Sequence, residues 1–126
     1  MIFYRMEVQN KYIEISVFEV VGGANAITSE DGQTLYHRIK EAFDNKMIVI
    51  LNFNNIELIV STFLNASIGQ LYNGIYDFAF IPTHLKIINI QNDDLEILQK
   101  VVENAKIYFA NRAQDDTIYK DNIGDE

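Results

Sequence analysis

The stretch MIVILNF, Met47 to Phe53, limits what this chain can fold into more than any other. It is short, rich in β-branched residues, and apolar at successive positions rather than at alternate ones. An alternating run buries one face of a strand, whereas a continuous run must be covered on both. Polar DNK, Asp44 to Lys46, precedes it and the asparagine pair Asn54 and Asn55 follows. The segment therefore reads as a central strand, and the rest of the chain has to supply its neighbours and its cover.

The flanking sequence does so by alternation. Ile2 to Val8 and Tyr12 to Val21 read as two strands joined by a hairpin at Gln9 to Lys11. In the second run Ile13, Ile15 and Val17 alternate with Glu14 and Ser16. GGANAITSEDG, Gly22 to Gly32, then reads as a loop. Thr28 or Ser29 can cap a helix, and Glu30 and Asp31 suit its first turn. Leu35, Ile39, Ala42 and Phe43 form its inward stripe. After the central strand a second helix is expected from Ser61 or Thr62, with Leu64, Ile68, Leu71 and Ile75 along one face. A loop holding Pro82 leads to a strand from His84 to Ile90. Asn92 or Asp93 then caps a last helix with Leu95, Leu98, Val102, Ala105 and Phe109 inward. The expectation is an α/β domain over residues 1–112, with residues 113–126 a solvated acidic tail.

Composition sets the functional bounds. The 126 residues are 48% hydrophobic and 22% charged, ordinary values for a globular domain. Net charge is −8, which repels phosphate backbones and anionic lipid, so neither nucleic acid nor membrane is an expected partner. Without cysteine there is neither a disulfide nor a thiolate zinc site. The opening MIFYRMEV has no secretion-signal pattern, and the expected location is cytoplasmic.

Nothing points to catalysis. Both common phosphate-binding glycine fingerprints are missing, and Gly22-Gly23 reads as a flexible turn. His37 and Glu41, four apart, read as solvated helix residues, and His84 as a loop residue. Neither histidine is placed as a base for Ser61, and there is no G-x-S-x-G elbow. Phe63, Tyr72, Tyr76, Phe78 and Phe80 read as core with some surface facing a partner. No enzyme activity, cofactor or metal is expected.

One seam stands out. In NNIELIVSTFLNASIGQL, Asn54 to Leu71, the hydroxyls of Ser61 and Thr62 join an apolar strand to an apolar helix. They either cap that helix or accept a phosphate, and Val60, Phe63 and Leu64 beside them are candidates to face a partner. Glu57 reads as an exposed loop acid.

Three blocks carry a family resemblance: TSEDGQTLY (Thr28 to Tyr36), VILNFNNIELIVSTFLNASIGQL (Val49 to Leu71) and LKIINI (Leu85 to Ile90). Through them Val17 to Asn111 resembles the STAS-like proteins, a bacterial family whose domain has no known function. It implies a small mixed β-sheet with helices packed mainly on one face. The family is related to the STAS domains of anti-sigma-factor antagonists, in which an Asp-Ser-Ser-Gly turn is phosphorylated by an ATP-binding kinase. That turn falls on VSTF, which gives Ser61 the phosphoacceptor's place and puts Val60 and Phe63 where the acid and glycine stand. The resemblance implies a regulatory protein-interaction module whose partner is a histidine-kinase-type ATPase. The alternative is a small-ligand or nucleotide-binding domain, or an enzyme subunit, using a cleft near Gly22 to Gly32.

Overall fold

The structure, a computed structural model, describes residues 11–125, with side chains to residue 112. In chain order it contains β1 (Lys11–Ser16), α1 (Val17–Val21), β2 (Asn25–Ala26), α2 (Ser29–Asp44), β3 (Met47–Asn52) and β4 (Leu58–Ile59). There follow α3 (Ser61–Ser67), a 3-10 turn (Gly69–Tyr72), α4 (Phe80–His84), β5 (Leu85–Ile88) and α5 (Asn92–Asp125). The expected strand Ile2 to Val8 lies outside the described residues, as do Gln9 and Asn10 of its turn.

The run at Met47 is the central strand. β3 pairs in parallel with β1 on one side and β5 on the other, in the order β1-β3-β5. Ile13, Val49 and Leu85 stand in register, as do Ile15, Leu51 and Ile87. This face is the core side: Ile15, Val49 and Leu51 are buried against Leu35, Ile39 and Phe43 of α2. On the opposite face the central strand's Ile48 is buried and Ile50 half-buried, while Tyr12, Glu14, Lys86 and Ile88 of its neighbours are exposed, so the helices lie mainly on one side. All three strand pairings among the described residues are parallel.

Three local expectations are corrected. Val17–Val21, read as strand, is a helical turn. Ser16 Oγ accepts the Glu19 N–H at 3.2 Å, and Gly22, at φ 77°, donates its N–H to the Phe18 carbonyl at 2.9 Å. A cap stabilises by about 1 kcal/mol, and Val17 is fully buried, so capping and packing together hold a turn whose valines favour a strand. Next, the stripe Leu64, Ile68, Leu71, Ile75 does not lie on one helix. The α-helix ends at Ser67, the 3-10 turn buries Leu71, and Ile75 beyond it is 57% exposed. Finally, Pro82 and His84 belong to α4 rather than to a loop. Pro82 is the third residue of that helix, inside the first turn, where a missing N–H costs no helical bond.

α2 and α3 approach each other closely at Gly32. A Cβ built on Gly32 would lie 2.7 Å from both Ala66 Cβ and the Phe63 carbonyl oxygen. Elsewhere in a helix, replacing glycine by alanine gains up to about 1 kcal/mol. Here the obstacle is partly backbone, so overpacking at about 1–3 kcal/mol should win. Gly32→Ala should lower the urea midpoint, whereas Gly69→Ala should leave it nearly unchanged, since its nearest atom, Val101 Cγ1, is 3.5 Å away. Equal midpoints for the two variants would remove this close approach as a structural constraint.

Candidate functional site

The seam is built on a two-stranded ladder. β2 and β4 pair in parallel, Asn25 with Leu58 and Ala26 with Ile59, and the Val60 N–H donates to the Ala26 carbonyl at 3.1 Å. Side chains alternate across the pleat. Ala26 and Ile59 point into the core, so Ile27, Leu58 and Val60 share the outer face. Ile27 is 40% exposed and Leu58 49%, with Val60 half-buried. Two-residue strands have no period to read, which is why the sequence reading missed Ile27 and Leu58 as surface residues.

α3 begins at Ser61, with Val60 in the cap position. Val60 has no hydroxyl, and no side chain caps this helix, so neither Ser61 nor Thr62 takes the expected capping role. Both are exposed. Ser67, the last residue of the helix, is fully buried and donates its hydroxyl to the Phe63 carbonyl at 2.8 Å. Two of the expected partner-facing residues are corrected: Phe63 and Leu64 are 0% exposed. The α2–α3 contact at Gly32 draws the helix so close that both side chains reach the core. The segment Gly22 to Gly32, expected as a loop, contains β2 and the first turn of α2, with Gly32 a packing residue within that helix.

Residues 31–95, slightly more than half of the chain, match the family described as a STAS-like domain of unknown function (DUF4325). The chain belongs to this family. The matched segment runs from the first turn of α2 through the seam to the start of α5. No curated protein and no solved structure matches the chain.

In this STAS-like domain the shifted titratable groups lie mostly away from the seam, at the far end of α2. Tyr76 Oη donates to Asp44 Oδ1 at 2.6 Å, and Lys40 Nζ donates to Asp44 Oδ2 at 2.9 Å. The Tyr76 bond first, then Lys40, holds the Asp44 carboxyl below its ordinary range. Burial, then Asp44, pushes the Tyr76 phenol up. These contacts tie the 73–84 segment to α2, helped by Asn73 Nδ2 donating to Tyr36 Oη at 3.1 Å. Phe43, Tyr76 and Phe80 pack edge to face and stacked beneath them.

The histidines are held apart. His37 is exposed on α2, edge-on to Tyr36, and forms no hydrogen bond with Glu41 among the described residues. His84 stacks on Phe80 at 3.8 Å, its Nδ1 lying 2.8 Å from Thr83 Oγ1. A groove of about 350 Å³ between the 3-10 turn and α5 is lined by Asn65, Gln70, Asn104 and Tyr108 among others. Among the described residues no helix is long and apolar enough to cross a membrane.

The Asp44 staple has a pH signature. A carboxyl depressed in the folded state stabilises above its ordinary value, about 4, and loses that as pH falls through the depressed value. A raised phenol stabilises below about 10 and loses that as pH rises. Tyr76→Phe should therefore flatten both the acid and the alkaline fall of melting temperature. Identical pH profiles for the variant and the wild type would show that this bond contributes nothing.

Proposed function

We propose that this STAS-like domain is a non-catalytic regulatory module that binds another protein through the outer face of the β2–β4 ladder. Phosphate on Ser61 or Thr62 switches that binding. The observation that carries the reading is a juxtaposition. Exposed apolar Ile27 and Leu58 lie on one face with Val60, and the next residues in the chain are two exposed hydroxyls that do not cap their helix. A hydroxyl free of a structural duty is open to modification without loss of fold. A phosphate adds about −1.5 to −2 charges, enough to alter a neighbouring interface.

The resemblance to anti-sigma-factor antagonists supports an ATP-binding kinase as the partner. The match of this chain to a family without known function adds the fold but no partner. Because Phe63 and Leu64 are interior, the interface consists of Ile27, Leu58 and Val60, with Ser61 at its rim.

Affinity capture from the native host with wild type, Leu58→Ser and Ser61→Asp as baits tests this. Wild type should retain a protein that Leu58→Ser loses and that Ser61→Asp retains in altered amount. Both substitutions are on the surface, so stability should change by about 0.5 kcal/mol or less. Equal retention by all three baits, or none by wild type, would refute the reading.

A further inference from the structure

Charge along the segments that form the ladder is one-sided. Between Lys11 and Arg38, and again between Lys46 and Lys86, the chain has no lysine or arginine. Those two segments supply α1, both ladder strands, the first turns of α2 and all of α3. Their carboxylates flank the apolar residues: Glu57 immediately precedes Leu58, and Glu30 and Asp31 follow Ile27 by three and four positions. Glu30 and Glu57 are exposed, and none of the three forms an ion pair among the described residues, where Lys40–Asp44 is the one such pair.

We infer that the protein segment that seats on Ile27, Leu58 and Val60 is cationic, with apolar residues interspersed with lysine or arginine. This rests on the reading that the ladder face binds protein. A neutral segment would cover the apolar residues while leaving the rim carboxylates poorly solvated and unpaired. An acidic one would be repelled. Nucleic acid offers no apolar match and is repelled by the same field.

The inference also gives the switch a sign. With Phe63 and Leu64 interior, a charge at Ser61 stays in solvent beside the apolar face instead of being buried under a partner. Added negative charge then extends the acidic rim and tightens a cationic partner. This reverses the sign expected for an interface that covers the start of α3.

Selection of a phage-displayed library of random dodecapeptides on the wild-type protein tests it, with fluorescence anisotropy on the peptides recovered. The selected sequences should combine lysine or arginine with leucine, isoleucine or valine. Glu30→Lys and Glu57→Lys together should weaken them about tenfold, and Ser61→Asp should strengthen them roughly threefold. Neutral or acidic selected peptides, or indifference to the double charge reversal, would overturn the cationic assignment. A Ser61→Asp variant that binds no more tightly than wild type would overturn the sign of the switch. Peptides that bind Leu58→Ser as tightly as wild type, or a selection that recovers none, would overturn the ladder face itself as the docking surface, and the proposed function with it. Melting curves show each variant to be folded before its binding is compared.

Discussion

The seam rests on the approach of α2 to α3 at Gly32. Only a hydrogen fits where a Cβ would lie 2.7 Å from Ala66 and from the Phe63 carbonyl. A seven-residue helix with no side-chain cap has too little intrinsic stability to form alone. Packing supplies what propensity does not. Phe63 and Leu64 are wholly buried, and Ser67 returns its hydroxyl to the helix backbone. Ser61 and Thr62 are therefore positioned from beneath, by the core, and not by bonds of their own. That is the physical reason they are free for another use.

What could be read in the sequence follows from range. The strand at Met47 and the stripe Leu35, Ile39, Ala42, Phe43 came through because each is a local pattern long enough to repeat. Thr28 capping α2, its Oγ1 accepting the Asp31 N–H at 3.0 Å, is a local signal as well. The starts of α2, α3 and α5 at Ser29, Ser61 and Asn92 agree with the expected positions. α1 was hidden because valine favours strands, whereas two cap bonds and the burial of Val17 hold it as a helical turn.

The candidate site was half legible. Ser61 and Thr62 stand out in the sequence as a hydroxyl pair between apolar runs, and both are exposed. Phe63 and Leu64 were assigned outward because apolar residues at a short helix's start give no sign of which side is covered. Gly32, 31 positions before Phe63, decides that. Ile27 and Leu58 became neighbours only through strand pairing, and Tyr76 met Asp44 across 32 residues. Tertiary contacts of this span leave no trace in a periodic pattern.

The two ends of α2 are treated differently. At its far end Asp44 has Lys40 and Tyr76, so its charge is met within the domain. At its near end Glu30 and Asp31 form no ion pair among the described residues, yet they have a reason in the fold. Carboxylates in a first helical turn interact with the free N–H groups and the positive end of the dipole, worth about 0.3–1 kcal/mol each. Glu57 has no such reason. It lies outside any helix, is exposed, and forms no ion pair among the described residues, while its N–H holds the Ala24 carbonyl at 2.8 Å. Its backbone is needed to start the ladder and its side chain is not, so any β-compatible residue would serve the fold. A negative charge at this position beside Leu58 is a property of the surface. Of the three rim carboxylates, Glu57 is the one whose charge the fold itself does not use.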